Sequence, residues 1–274
     1  YEREISVFFY DHLAFFSHAS YFSMYLNFAI GLLYYFWFSP SKKDYIKPYI
    51  NFSISFFLSI IVLMLASKTG IFTLLLIHLI AAFYWTLKYK KIKQGLILIA
   101  SITAVVVISL TYSPQVLERI VTMKESIQNF DGKPNTSTKT RLAVWKESYT
   151  LIKDSPIIGY GTGDVMDILT EKYKEKGFHD LAKKHLNSHN QFIQILLGSG
   201  FIGLIYFLFL IAYPYLKNLT SSQYLLYTIF TALIILNFLT ESMLETQSGV
   251  VFFSFFITIF YSLQSSKENL INKI

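Results

Sequence analysis

The chain contains no cysteine, which excludes a disulfide framework, a thiol nucleophile and a cysteine-ligated metal site. Charge is also scarce: charged residues make up 15% of the 274 residues, whereas hydrophobic residues make up 53%. This composition excludes a disordered chain and disfavours an ordinary soluble domain. Aromatic residues are abundant, with 26 Phe and 20 Tyr. In such a chain the formal net charge of +7 is first a signal of membrane topology, and no nucleic-acid partner is expected.

Long apolar runs predict an all-α fold, a polytopic transmembrane helical bundle. A helix needs about 20 mostly apolar residues to cross a bilayer. Seven candidate spans meet this expectation: 19–38, 48–66, 70–87, 94–112, 191–213, 223–240 and 248–263. The short segment from Ser67 to Gly70 separates the second span from the third, and it predicts a tight hairpin with Lys68 at a membrane interface. The start at Tyr1 shows neither an initiator Met nor a signal-peptide pattern, so we expect a fragment or a processed product, with further helices before it.

Basic residues are distributed asymmetrically between the connecting segments. Alternation of the seven spans places 39–47, 88–93, 214–222 and 264–274 on one side, where they contribute ten basic and two acidic residues. The short segments on the other side contain two basic residues, Arg3 and Lys68, and five acidic ones. The positive-inside rule therefore predicts that the first side is cytoplasmic.

The same alternation divides the chain into three parts. They are an N-terminal membrane part at 1–112, a long loop at 113–190 on the outer side, and a C-terminal membrane part at 191–274 with a short cytoplasmic tail. Within the loop, 141–153 has the pattern of an amphipathic helix, 155–163 has the Gly and Pro signals of a turn, and 164–186 suits a highly charged helix. A loop of this length with its own helices predicts a small ordered lid rather than a simple connector.

Ionisable side chains are expected to gather at the outer membrane face. They are Lys68 in the hairpin, Arg141 at the start of the loop helix, His189 before the fifth span, and Glu241 and Glu245 after the sixth. An anionic lipid-linked substrate would need such a set, because cations bind phosphate and a histidine can accept a proton near neutral pH. The alternative for each residue is an interfacial side chain without a role in chemistry.

Three histidines, His179, His185 and His189, fall within a short stretch, and the last two have the i,i+4 spacing of metal ligands on one helix. No Glu follows His185, however, so the H-E-x-x-H pattern of zinc proteases is absent. Asn187 and Ser188 also indicate a helix start, which would break the shared face. We therefore predict no metal and no cofactor.

His189, Asn190, Gly200 and Gly203 form the pattern H-N-x9-G-x-x-G. This pattern resembles the signature of the bacterial O-antigen ligase family and of the related O-antigen polymerases. Further stretches are similar to the same family in the same order: Ser67 to Gly70 (SKTG), Arg141 to Trp145 (RLAVW), Pro156 to Gly161 (PIIGYG), and Thr240 to Ser242 (TES) followed by Gly249. Lys68 stands where the family usually has Arg, so the charge is kept but the bidentate fork is lost.

The resemblance implies an enzyme that transfers a glycan from undecaprenyl pyrophosphate to an acceptor hydroxyl at the periplasmic face of the bacterial inner membrane. It implies a metal-independent reaction with His189 as general base and with Arg141 and Lys68 on the pyrophosphate. Asn190, Glu241 and Glu245 are further substrate-binding candidates. Gly200 and Gly203 are the motif glycines, and they also suit close packing of helices.

Several functions stay open. The acceptor is lipid A-core in a ligase, another lipid-linked repeat in an O-antigen or capsule polymerase, and a Ser or Thr side chain in a protein O-oligosaccharyltransferase. A polysaccharide transporter would instead need ionisable residues at mid-membrane and broken helices. A non-catalytic membrane glycan-binding protein would not need His189 and Arg141 to converge. The expected partners are the lipid-linked donor, a glycan or protein acceptor, and membrane lipids.

Overall fold

The protein is described by a computed structural model that covers residues 18–38, 48–90, 92–93, 95–97, 99–100, 103–104, 107, 114–216 and 219–271. These residues contain helices and no strand, which confirms the all-α class. Most of the predicted span 94–112, the predicted cytoplasmic segment 39–47 and the residues before His18 lie outside the described residues.

The main helices follow one another along the chain. In chain order they are α1 (Ala19–Phe38), α2 (Pro48–Met64), α3 (Lys68–Tyr89), α4 (Pro114–Gln128), α5 (Ser137–Asp154), α6 (Val165–Glu175), α7 (His179–Lys183), α8 (Gln191–Ala212), α9 (Ser221–Phe238) and α10 (Gln247–Ile271). Two 3-10 helices, Tyr213–Leu216 and Met243–Glu245, follow α8 and α9.

Three helices in the described part of the chain are long and apolar enough to cross a membrane. They are α3, the continuous segment Gln191–Leu216 that contains α8, and α9. The segments Ile50–Met64 and Gln247–Ser262 are apolar but shorter, and α1 occupies the bounds predicted for the first span. The count of seven spans and their orientation in the membrane stay predictions.

The chain divides into two compact units. The first comprises Tyr1–Val121 and Asn218–Asn237, and the second comprises Thr122–Lys217 and Phe238–Ile274. These are units of packing, whereas the three parts predicted from the sequence describe membrane topology, which stays a prediction.

The predicted hairpin is present in the first unit. Ala66 has a positive φ of 47° in the turn after α2, and the Ser67 side chain caps α3 by accepting a hydrogen bond from the Gly70 N–H at 3.2 Å. Asn27 of α1 donates its side-chain amide to the Gly70 carbonyl at 3.0 Å. Lys68 is therefore fixed as the first residue of α3, in the turn that α1 covers.

The second unit confirms the predicted loop helices. The predicted helix 141–153 lies within α5, and the charged stretch 164–186 contains two helices, α6 and α7. These helices share a core with the first half of α8, formed by Val144, Leu151, Ile152, Val165, Leu169, Tyr173, Leu181, Ala182 and Leu197. The buried face of α5 passes through Val144, Ser148 and Leu151, whereas Tyr149 is 61% exposed.

Candidate active site

Arg141, Glu241 and His189 form one ion-paired cluster in the second unit. Nη2 of Arg141 donates to Oε1 of Glu241 at 2.5 Å, and Nδ1 of His189 lies 3.2 Å from Oε2 of the same carboxylate. One glutamate thus joins the guanidinium of the loop helix to the imidazole that precedes α8. The three side chains are partly exposed, from 15% for Glu241 to 25% for His189, so the cluster is held by the fold and still reachable.

The charge state of Glu241 follows from its neighbours. Burial raises the pKa of its carboxyl group, but the hydrogen bond with His189 and the charge of Arg141 more than compensate. The pKa of Glu241 therefore lies below its ordinary value, and the side chain is a carboxylate at neutral pH. A carboxylate can hold both a guanidinium and an imidazole N–H.

Arg141 is oriented by more than its ion pair. Its Nε donates to the Thr240 carbonyl at 3.0 Å, and its Nη1 donates to the Ser137 hydroxyl one turn earlier on α5 at 3.1 Å. A guanidinium has five N–H groups, so two of them remain beyond these three contacts. They can face an anionic ligand while the side chain stays fixed.

The position of His189 is set by the start of α8. Asn190 is the N-cap, and its side-chain oxygen accepts from the N–H groups of Phe192 and Ile193 at 3.0 and 3.1 Å. His189 itself has a positive φ of 48°, and its N–H donates to the Asn187 side chain at 3.0 Å. The cap thus turns the chain sharply, and the imidazole projects from the turn rather than from the helix.

The segment that carries Glu241 is tied to this turn by buried hydrogen bonds. The Asn190 N–H donates to the Ser242 hydroxyl at 3.2 Å, and the Asn190 side-chain amide donates to the Leu239 carbonyl at 3.1 Å. The Ser188 hydroxyl lies 3.1 Å from that of Ser242. Asn190, which the sequence predicts to bind substrate, is 7% exposed and holds the two segments together. A direct contact between Asn190 and substrate stays a prediction.

Helix α5 is hydrogen-bonded to the same turn before α8. The indole N–H of Trp145 donates to the Ser188 carbonyl at 3.0 Å, one turn beyond Arg141 on α5. Arg141 and Trp145 therefore hold α5 against both segments of the cluster, which explains their spacing in the RLAVW stretch.

The cluster does not include Glu245 or His185, and the place of Lys68 relative to it stays a prediction. Glu245 is exposed at the end of the 3-10 helix Met243–Glu245, and no described contact joins it to Arg141 or His189. Lys68 belongs to the first unit, so its convergence with the cluster stays a prediction. His185 has a positive φ of 47° and contacts Thr170 at 3.3 Å, so the helical i,i+4 pair with His189 is not formed. The described residues contain no group of three or more potential metal ligands.

Helix α8 is broken at Gly200, and the Pro156 to Gly161 loop fills the break. Gly200 has φ 60° and ψ −161°, which no helix contains. The N–H groups of Phe201 and Ile202 donate to the carbonyls of Pro156 and Ile157 at 2.8 and 3.3 Å. In return, the N–H groups of Tyr160 and Gly161 donate to the carbonyls of Leu197 and Gly198 at 2.7 and 2.9 Å.

Glycine is required on both sides of this insertion. A Cβ at Gly200 would collide with the Ile157 carbonyl, and a Cβ at Gly159 would lie 2.5 Å from the Leu197 carbonyl oxygen. Both residues also have positive φ. The sequence suggested that Gly200 packs against a second helix, but in the structure it makes room for the loop backbone. Gly203 has a different neighbour, since a Cβ there would collide with the Ser199 side chain of the preceding turn.

Sequence reasoning missed the residues that hold the cluster together. Ser242 follows Glu241 directly in the quoted TES stretch, yet only the glutamate suggests chemistry. Ser188 precedes the H-N pair and indicates only a helix start. Gly159 belongs to the PIIGYG stretch, whose glycines indicate a turn but not its insertion into α8.

The sequence model of the O-antigen ligase family, described as "O-Antigen ligase", matches residues 53–208. The match includes Arg141, His189 and both sides of the break in α8, and it ends before Glu241.

A curated relative is a protein of Haemophilus influenzae described as an uncharacterized protein. It is 28% identical over 175 residues, which cover 57% of this chain and 43% of the relative. The chain thus spans less than half the length of the curated relative it matches. The family match extends over more than half of the chain and includes Arg141 and His189 of the cluster. The chain therefore belongs to the O-antigen ligase family.

Proposed function

We propose that the protein transfers a glycan from a polyprenyl pyrophosphate, such as undecaprenyl pyrophosphate, to an acceptor hydroxyl at the outer face of the bacterial inner membrane. The observation that carries the proposal is the Arg141–Glu241–His189 cluster, which combines a cation, a carboxylate and an imidazole at a partly exposed position. Family membership supports glycan transfer as the reaction class.

His189 acts as the general base. Its Nδ1 faces Oε2 of Glu241 at 3.2 Å, and a carboxylate only accepts hydrogen bonds. The proton of the neutral imidazole therefore belongs on Nδ1, which leaves the lone pair of Nε2 for the acceptor hydroxyl. Glu241 is thus a positioning residue for His189 rather than a ligand of the substrate.

Arg141 binds the pyrophosphate of the donor through its two remaining N–H groups. Glu241 neutralises part of its charge, so a second cation is needed for a strongly anionic leaving group. We assign this role to Lys68, whose position at the start of α3 adds the helix N-terminus to its own charge.

The reaction is a direct displacement at the anomeric carbon. Nε2 of His189 takes the proton of the acceptor hydroxyl while the acceptor oxygen bonds to the anomeric carbon of the donor. The bond from this carbon to the pyrophosphate oxygen breaks, and the electron pair leaves with the polyprenyl pyrophosphate. The configuration inverts, and no nucleotide sugar or metal takes part.

The break in α8 does not favour the transporter alternative. Transporters use broken helices to expose backbone groups to substrate or ions. In this protein the N–H groups of Phe201 and Ile202 and the carbonyls of Leu197 and Gly198 are all bonded to the inserted loop. These backbone groups are therefore not offered to a transported ion.

The test is a transfer assay with the protein in membranes. A polyprenyl-pyrophosphate-linked glycan is supplied with lipid A-core, a second lipid-linked glycan, or a Ser/Thr-containing protein as acceptor. We expect release of polyprenyl pyrophosphate that depends on one acceptor class, and the product identifies ligase, polymerase or protein glycosyltransferase. We also expect an unchanged rate after treatment with a metal chelator.

Two results would contradict the proposal. One is a donor that remains intact with every acceptor although it binds the protein, which would favour a glycan-binding role. The other is loss of transfer with the chelator and recovery with a divalent cation, which would require a metal that the cluster does not provide for.

A further inference from the structure

The side chains of α8 change their surroundings at the Gly200 break. From Gln191 to Gly200 no residue is exposed, because α5 and α6 cover this part of the helix and Leu197 lies in their common core. From Phe201 onward, large apolar side chains are exposed: Phe201, Ile202, Ile205, Tyr206, Leu208 and Phe209. The apolar surface of the spanning segment therefore begins at the break.

The inserted loop continues this apolar surface. Ile157 and Ile158 are 63% and 69% exposed, as much as Ile202 of the spanning segment at 60%. The carbonyls of Pro156 and Ile157 bond to Phe201 and Ile202, so the loop tip lies at the level where the exposed apolar part of α8 starts. Two adjacent isoleucines at the tip of a loop are otherwise costly to leave in water.

Part of the loop backbone is hydrogen-bonded within the protein. Irregular backbone is tolerated at membrane depth only where its polar groups are satisfied within the protein. Here two loop carbonyls and two loop N–H groups pair with the four groups that the helix break frees. These four pairs replace helix bonds at the break, and the exposed side chains at the loop tip, Pro156, Ile157 and Ile158, are aliphatic.

Interfacial residues lie just before the loop tip. Tyr149 is exposed on the last turns of α5, and the Lys153 ammonium lies 4.6 Å from the centre of its ring. Tyrosine and lysine are typical of the boundary between hydrocarbon and headgroups. The order Tyr149, Lys153, Ile157 along the chain therefore passes from polar boundary to apolar tip.

The length of α8 agrees with an entry point at the break. The whole segment Gln191–Leu216 has 26 residues and is about 40 Å long, more than a hydrocarbon core of about 30 Å requires. The part from Phe201 to Leu216 is about 25 Å long, which is within about 5 Å of that thickness. This shorter part is the one whose apolar side chains are exposed.

We propose that the Pro156 to Gly161 loop dips into the bilayer beside α8 and that Ile157 and Ile158 contact lipid acyl chains. The bilayer edge then lies near Lys153 and Gly200, and α5, α6 and the first half of α8 lie in or above the headgroup layer. His189 precedes the break by eleven positions, which places it about 15 Å farther along the axis of α8 than the lipid-contacting tip.

The experiment uses single cysteines, because the native chain has none to remove. An environment-sensitive fluorophore is attached to Ile157→Cys or Ile158→Cys in the protein, which is reconstituted in phosphatidylcholine vesicles. Ile202→Cys on the spanning segment is the lipid-facing control, and Lys176→Cys on the exposed end of α6 is the aqueous control. Quenching by doxyl-labelled phosphatidylcholine and by aqueous iodide is measured for each.

We expect doxyl quenching at Ile158 to match that at Ile202 within about twofold and to exceed that at Lys176 several-fold, with iodide quenching in the reverse order. A doxyl quenching at Ile158 closer to the Lys176 value would overturn the proposal. Labelling does not disturb the core, because both isoleucines are exposed and the loop bonds use backbone atoms.

Discussion

Oε2 of Glu241 lies 3.2 Å from Nδ1 of His189, although 51 residues separate the two along the chain. Oε1 of the same carboxylate bonds to Arg141, so Glu241 connects the base to the cation. The sequence predicts all three residues at one membrane face and assigns Glu241 to the substrate. The geometry supports a different role, in which Glu241 orients the other two.

Replacement of Glu241 by Gln removes the carboxylate and leaves the size of the side chain unchanged. We expect kcat for glycan transfer to fall about 100-fold, because the amide replaces one of the two accepting oxygens by an NH2 group and so cannot accept from Arg141 and His189 in the same way. The imidazole also loses the negative charge that stabilises its protonated form. The KM for the donor should change little, since the proposal places Glu241 away from the substrate. The measurement is steady-state transfer at several donor concentrations.

Glu171→Gln is the matched control for this change, because Glu171 is an exposed glutamate of α6 that takes no part in the cluster. It should transfer at the native rate. A Glu241→Gln variant that raises KM and keeps kcat would instead place Glu241 on the substrate.

Arg141→Lys separates charge from geometry. Lysine keeps one positive charge but cannot reproduce the simultaneous contacts with Glu241, Thr240 and Ser137. We expect kcat/KM to fall about tenfold or more, and Arg141→Ala to lower it further, since each charge-assisted hydrogen bond is worth about 1.5–3 kcal/mol.

Lys146→Ala on the exposed face of α5 should leave kcat/KM unchanged. Equal activity of Arg141→Lys and the native protein would show that charge alone is required at this position.

The lowered pKa of Glu241 predicts that the stability of the fold decreases at acidic pH. A carboxyl group whose pKa is lower in the folded state stabilises the fold fully above its ordinary pKa of 4.5, and this stabilisation is lost as the pH falls through the folded-state pKa. The thermal unfolding midpoint in detergent should therefore decrease below pH 4.5. In Glu241→Gln this part of the decrease should be absent.

Glu245→Gln should retain the native pH dependence of the midpoint. If Glu241→Gln and the native protein lose the same amount of stability as the pH falls below 4.5, the ion-paired carboxylate is not the group that titrates.

The insertion of the loop at the α8 break predicts that two glycines cannot be replaced without loss of stability. Gly200→Ala and Gly159→Ala each introduce a Cβ against a backbone carbonyl and also impose a positive φ on alanine. We expect each to lower the free energy of unfolding by about 3 kcal/mol, from about 1–2 kcal/mol of conformational strain and a similar cost of overpacking. Thermal unfolding and yield in membranes measure the effect.

Gly177→Ala is the control for strain alone, because Gly177 has φ 75° but a Cβ added there would meet no atom within 4 Å. It should cost clearly less than Gly200→Ala. An equal loss of unfolding free energy at the two positions would contradict this prediction. It would mean that the loop can shift away from the added Cβ and is not packed tightly against the break.

Much of this architecture follows from local sequence patterns. The apolar runs predict α1, α2, α3, α8, α9 and the apolar part of α10 within a few residues, because helix periodicity and length act locally. Asn187 and Ser188 indicate a helix start near His189, and Asn190 forms the cap. The H-N-x9-G-x-x-G spacing singles out His189 because such a motif combines several independent positions.

Long-range pairing could not be predicted in the same way. Nothing near Gly200 in the sequence indicates that residues 156–161 enter the helix, because the contact is between backbones and leaves only glycines as a trace. The contact of Ser242 with Asn190 likewise spans 52 residues. The sequence shows which side chains could carry chemistry, but not which of them position the others.

The most direct test of the central claim compares His189→Ala with His179→Ala in the membrane transfer assay. His179 is exposed at the start of α7 and provides a histidine of the same loop outside the cluster. With expression and insertion matched, we predict that His189→Ala still binds the lipid-linked donor but transfers at least about 100-fold more slowly. His179→Ala should transfer normally. Transfer at the native rate by His189→Ala would contradict the general-base role, because it would leave the cluster without its base.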